Sequence, residues 1–189
     1  MAPDPEDFDL DFTQLPAKPA ELPPEKVANA RQEASSGTPH LNKTGFYVAM
    51  ARRAGDRVTP RDGQRHNIFV IEDDNALLKL VGEVLATAGF STRFARNRAE
   101  INTEFNRMPL PDLVLLDVSL PDADGFQILE RIRHNPKINR MPVVMMTGKS
   151  EVTDVARGLA LGADGYVTKP FKISGLVSAV NTVLGLDGS

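Results

Sequence analysis

Ile68-Phe69-Val70-Ile71-Glu72-Asp73-Asp74 joins an unbroken apolar run to three consecutive acids. Four apolar residues without alternation suit a strand buried on both faces, as in a parallel sheet. The pattern recurs on working outward. Residues 75–88 carry Leu77, Val81, Val84 and Ala88 at helical spacing and stop at Gly89. Residues 91–95 read as a second strand and 98–107 as a second helix. Leu113-Val114-Leu115-Leu116-Asp117 repeats the apolar run that ends in an acid. A helix over 125–134 follows, bounded by Pro136, then a strand over 142–146 and a helix over 151–161 before Gly162. Residues 165–168 form the fifth strand and 172–184 the last helix. Five strands alternating with five helices predict an α/β doubly wound parallel sheet with helices on both faces.

Composition narrows the function classes. The 189 residues carry 22 Lys+Arg against 25 Asp+Glu, a net charge of −3, too balanced to point to nucleic acid from bulk charge. No cysteine is present, which excludes disulfides, a cysteine nucleophile and thiolate metal sites. His40, His66 and His134 lie far apart with no ligand-like spacing. No apolar run reaches the roughly 20 residues that cross a bilayer, and Met1–Asp7 lacks the basic start of a signal peptide. A cytoplasmic protein is expected.

In an open parallel sheet, ligands bind beyond the carboxyl ends of the strands. The first strand delivers Glu72, Asp73 and Asp74 there, the third Asp117, the fourth Thr147, and the fifth Thr168, Lys169 and Pro170. Two carboxylates 4 Å apart repel by about 4 kcal/mol at an effective dielectric near 20, so such a cluster calls for a cation. Mg2+ takes one or two carboxylates, keeps waters and accepts phosphate oxygens. Lys169 adds a positive charge on a long stem, and Thr147 adds a hydroxyl donor. The set suits a phosphoryl group held by a metal, and Asp is itself a covalent acceptor of phosphate. Singly, each residue has a plainer reading: Asp73 or Asp74 as a helix cap, Asp117 as a loop cap, Lys169 as surface.

Val70-Ile71-Glu72-Asp73-Asp74, Leu115–Gly125, Met145-Met146-Thr147-Gly148 and Gly162–Phe171 together resemble the receiver domain of two-component response regulators. The resemblance covers about residues 66–186, with 187–189 as a tail. It implies a flavodoxin-like (βα)5 fold with strand order 2-1-3-4-5. It implies that Asp117 is phosphorylated by a histidine kinase or histidine phosphotransfer protein, and that the chain is a signalling module rather than an enzyme. Asp73 and Asp117 would be metal ligands with the backbone carbonyl of Ser119, and Glu72 a ligand through water, around Mg2+ or Mn2+. Lys169 and Thr147 would bind the phosphoryl group. Thr147 and Tyr166 would form the switch, and Lys169–Pro170 would be a cis peptide. Ser119 and Lys149 would flank the hydrolytic water.

Residues 1–65 read differently. Residues 1–34 carry eight acids, three bases and six prolines; residues 35–66 carry six bases and two acids. A largely disordered extension is expected, with a short helix over 44–54 that shows Phe46, Tyr47, Met50, Ala51 and Ala54 on one face. Glu6-Asp7-Phe8-Asp9-Leu10-Asp11-Phe12 alternates acid and apolar residues, as in segments that fold onto a partner or merely solubilise. With no output motif before residue 67 or after 184, a stand-alone receiver is expected, without nucleic acid or membrane as partner. The alternatives are a phosphatase with an aspartyl-phosphate intermediate, disfavoured by Ser119 two residues after Asp117, and a DNA-binding regulator using the basic stretch 52–65.

Overall fold

The computed structural model describes residues 10–15, 21–148 and 151–187. Its framework is a six-stranded sheet. Five strands are parallel: β2 (Asn67–Ile71), β3 (Ser91–Ala95), β4 (Leu113–Asp117), β5 (Val143–Thr147) and β6 (Gly165–Thr168). They lie in the order β6-β5-β4-β2-β3, which is the expected 2-1-3-4-5 arrangement. A sixth strand, β1 (Phe46–Val48), pairs antiparallel with β6, setting Tyr47 opposite Tyr166.

The crossovers are α3 (Asn75–Thr87), α4 (Arg98–Phe105), α5 (Gly125–His134), α6 (Val152–Leu161) and α7 (Ile173–Leu184). Polar caps fix where three of them begin. Asp74 accepts from the amides of Ala76 and Leu77, Asn97 from Glu100, and Asp124 from Phe126. Alternate strand residues feed two cores. Ile68, Val70, Leu113, Leu115, Val144 and Val167 pack under α3 and α7. Phe69, Ile71, Val114, Leu116, Met145 and Tyr166 pack under α4, α5 and α6.

The extension departs from expectation. The expectation over 1–65 is a disordered or weakly helical extension with a short helix over 44–54; among the described residues, α1 (Pro24–Thr44) is instead a 21-residue helix, followed by β1 and a single turn, α2 (Met50–Arg53). The helix expected over 44–54 is thus broken. Gly45 ends α1 in the left-handed region (φ 87°), which a glycine enters without Cβ strain, and the chain turns into β1. Phe46 and Tyr47 satisfy a strand's alternation as well as a helical face, and the open edge of β6 settles the matter by offering backbone partners.

α1 buries Ala30, Ala34, Gly37, Thr38 and Leu41, a stripe of mostly small residues that lets it lie close across α6. A Cβ on Gly37 would come within 2.7 Å of the Tyr47 ring. Glu33 pins the two elements together, accepting from Tyr47 Oη (2.9 Å) and from the Met50 amide (2.8 Å). Farther on, buried Asp112 accepts from the amides of Arg61 (3.0 Å) and Asn67 (2.8 Å). Arg53 donates to the Val48 carbonyl and Arg61 to the Pro111 carbonyl, so part of the basic stretch holds the extension against the sheet. Of the acid–apolar stretch, Glu6 to Asp9 lie outside the described residues; Leu10 and Phe12 are buried.

Candidate functional site

At the carboxyl ends of β2, β4, β5 and β6 an open depression of about 1000 Å³ is lined by Glu72, Asp73, Asp117, Ser119, Thr147 and Lys169, among others. Each of these side chains but Asp73 and Ser119 ends a strand or directly follows one, so the parallel sheet gathers them on one edge. The crossing into α5 is equally constrained. A Cβ on Gly125 would lie 2.2 Å from the Asp117 carbonyl oxygen, so only glycine lets the α5 N-terminus close over the Asp117–Val118 backbone. The Gly125 amide donates to the Val118 carbonyl (2.9 Å).

Glu72 and Asp117 are buried, Asp73 is exposed, and one carboxylate oxygen from each lies within 4.8 Å of the others. Lys169 Nζ sits between the two buried acids, 2.5 Å from Glu72 Oε2 and 3.0 Å from Asp117 Oδ1. Burial pushes the Glu72 carboxyl up; Lys169 opposes that and the Asp117 charge adds to it. Burial alone would lower Lys169, but hydrogen bonding to Glu72 and Asp117 outweighs it and holds the ammonium above its ordinary value. The Ser119 amide donates to Asp117 Oδ1 (3.2 Å) and the Asp74 amide to Glu72 Oε1 (3.3 Å). Glu72 Oε2 is buried, with the Lys169 ammonium as its ion-pair partner. One ammonium beside three carboxylates leaves negative charge over, and hard oxygen donors suit a hard divalent cation. The residues present fit Mg2+.

Thr147 is buried at the end of β5, and its carbonyl accepts from the Lys169 amide (2.8 Å). The Lys169–Pro170 peptide is cis. Tyr166 is set apart from the depression. It lies inward, 1 % exposed, with its hydroxyl aimed at the carbonyls of Asp154 (3.2 Å) and Val155 (3.4 Å) on α6. Burial pushes its phenol well above the ordinary range. Gly158 makes room for it, since a Cβ there would meet Tyr166 Oη at 1.7 Å. Asp74 serves as the α3 cap. Lys149 lies outside the described residues.

Sequence reasoning missed one wall of the site. Arg157 on α6 stacks its guanidinium 4.2 Å above the Phe126 ring and reaches Asp124 Oδ2 (3.3 Å), adding a second cation to the lining of the depression. Its only sequence signal was a lone basic residue within a helix.

A family model for the response regulator receiver domain matches residues 68–181. The chain belongs to this family. It is 39% identical over 119 residues to the phosphate regulon transcriptional regulatory protein PhoB of Rhizobium meliloti, covering 62% of this chain and 51% of that protein. It is 34% identical over 128 residues to the transcriptional regulatory protein TrcR of Mycobacterium tuberculosis, covering 68% and 49%. The chain thus spans about half the length of these curated relatives. Among solved structures, it resembles the receiver domain of a signal transduction histidine kinase from Syntrophus aciditrophicus (31% identity, TM-score 0.57, 66% of this chain and 94% of that one). It also shares its fold with chemotaxis response regulator CheY4 of Vibrio cholerae (23% identity, TM-score 0.60, 64% and 100%). Receiver domains are signalling modules that bind Mg2+ at an acidic pocket and interact with histidine kinases or phosphotransfer proteins. Among the described residues, no helix is long and apolar enough to cross a membrane.

Proposed function

We propose that this receiver accepts a phosphoryl group on Asp117 from a phosphohistidine on a kinase or phosphotransfer protein, and that the acyl phosphate switches its protein contacts. The observation that carries this reading is Lys169 Nζ, 3.0 Å from Asp117 Oδ1 and paired with Glu72 at the sheet's carboxyl edge. An Asp117 carboxylate oxygen attacks phosphorus, the P–N bond to the donor imidazole breaks, and the imidazole keeps the electron pair and takes up a proton. Such a transfer needs alignment and charge neutralisation rather than covalent help. Lys169 neutralises one side of the phosphoryl group, and Thr147 donates its hydroxyl to a phosphoryl oxygen. Glu72, Asp73, Asp117 and the Ser119 backbone carbonyl would hold Mg2+, which when bound neutralises the remaining oxygens. Tyr166, packed against α6, carries the change at Thr147 outward.

Incubation with a small phosphodonor and Mg2+ should add one phosphate by intact mass, and Asp117→Asn should abolish it. Labelling that persists in the variant would remove Asp117 from the role. The relatives are named transcriptional regulatory proteins, which favours a second reading in which the switched face controls transcription. A salt-dependent DNA titration of the phosphorylated chain separates the two.

A further inference from the structure

Residues 10–12 lie in a groove between α4 and α5, and the chain bends at Thr13, whose amide donates to Asp11 Oδ1. The alternation seen in the sequence is used as in a strand: Leu10 and Phe12 point in and are 2 % and 1 % exposed. Phe12 stacks on Phe105 (centroids 4.7 Å apart, 14° between planes), and Phe105 meets Phe69 edge-on beneath it. Side chains of the groove hold the segment's backbone. Asn106 accepts from the Leu10 amide and donates to the Leu10 carbonyl, both at 3.3 Å. Asn102 accepts from the Phe12 amide (3.0 Å). Arg131 donates to the Asp11 carbonyl (3.0 Å) and Arg98 to the Thr13 carbonyl (3.2 Å).

These are the features of a peptide site. Polar side chains read the main chain, two pockets read alternate side chains, and two arginines lie along an occupant whose own flank is acidic. Side chains of α4, of Asn106 at its C-terminal cap and of α5, all more than 80 residues away in sequence, supply these contacts. The segment has no strand pairing and adds none to the sheet. It is joined to α1 by ten residues, 14–23, a tether short enough to hold it near millimolar effective concentration.

We propose that the groove between α4 and α5 is a binding site for an extended peptide of alternating apolar and acidic residues, and that residues 10–13 are its resident, displaceable ligand. The proposal does not depend on phosphorylation at Asp117. While the segment is seated, a peptide of the same pattern from another molecule must compete with it. Once it leaves, Phe105 and the Asn102–Asn106 ladder are open to that peptide.

The test uses the full chain and a fluorescent synthetic peptide of residues 6–15. A Leu10→Ser/Phe12→Ser chain, with its own ligand disabled, should bind the peptide about a hundredfold more tightly than wild type. Adding Asn102→Ala and Arg131→Ala to that chain should abolish the binding, and a peptide carrying Phe12→Ser should not bind. A folded double variant that ignores the peptide, or that binds the Phe12→Ser peptide equally well, overturns the proposal. Hydrogen exchange of the wild-type chain gives an independent reading should the variant not fold. The Leu10 and Phe12 amides should be protected and should lose about tenfold or more of that protection when free peptide is added in excess. Protection that excess peptide leaves unchanged means a permanently built-in segment, and also overturns it.

Discussion

Gly158→Ala should destabilise this protein, although the same change in an ordinary helix stabilises. In mid-helix, alanine is favoured over glycine by about 0.5–1 kcal/mol. At position 158 the new Cβ would sit 1.7 Å from Tyr166 Oη and 2.9 Å from Cζ, so the ring must leave or α6 must lift. Tyr166 has no easy exit, because β1 runs alongside at Tyr47 and α1 lies over α6. Forcing a methyl into a packed core costs about 1–3 kcal/mol. Pulling the phenol from the Asp154 and Val155 carbonyls adds about 0.5–1.5 kcal/mol. Set against the helix gain, the net loss is about 0.5–4 kcal/mol. Urea unfolding followed by circular dichroism reads it, with Tyr166→Leu as the second arm of a double-mutant cycle. The alanine should be tolerated far better in the Tyr166→Leu background, where no hydroxyl reaches α6. A Gly158→Ala protein stabilised by the helix increment, or an equal cost in both backgrounds, would refute the packing of Tyr166 against α6.

Lys169→Met should cost about 3 kcal/mol in metal-free buffer, because it leaves Glu72 and Asp117 buried with no counter-charge; a second substitution, Asp117→Asn, should recover much of the loss, and an unchanged urea midpoint would count against the pairing. The two tyrosines should titrate late: burial, together with hydrogen bonding to Glu33, pushes Tyr47 up to about 12, and burial raises Tyr166 as well. A phenol whose folded pKa exceeds its unfolded value of about 10 lends stability that is full below pH 10 and fades as pH climbs toward about 12; half the tyrosinate absorbance appearing by pH 10 in folded protein would contradict this. Removing residues 1–60 should uncover the β6 edge and the outer face of α6, and light scattering after size exclusion should then report self-association; a monodisperse truncated chain with an unshifted Tm would show that α1 and β1 contribute little.

The parallel sheet was legible because strands buried on both faces, such as Leu113–Leu116, leave continuous apolar runs that nothing else in the chain imitates. The candidate site was legible for a related reason, since Glu72, Asp117 and Thr147 each mark the end of such a run and Lys169 follows the short strand Gly165–Thr168. Arg157 escaped because it sits within a helix and joins the site only through Phe126 and Asp124. The extension escaped for two physical reasons. α1 buries small residues, so hydropathy hardly marks its inner face, and Pro39 falls inside it. Leu10 and Phe12 take their partners from Asn106 and Asn102, and Asp11 from Arg131, so the acid–apolar alternation marks the segment without marking the groove that receives it.

The antiparallel pairing of β1 with β6 has a bearing on how this molecule can be read by others. Tyr166 faces α6, its backbone neighbour across the ladder is Tyr47, and Glu33 fastens Tyr47 to α1. Packed interiors transmit displacement rather than absorb it. A shift of Tyr166 or of α6 therefore arrives at α1 before it arrives at solvent. Along this flank α1 shows its far side, around Val27 and Arg31, to solvent, while α6 keeps Thr153 and Arg157 exposed. On the reading proposed above, substitutions on the outer surface of the extension should change the contacts made along this flank and leave the depression at the sheet's carboxyl edge unaltered.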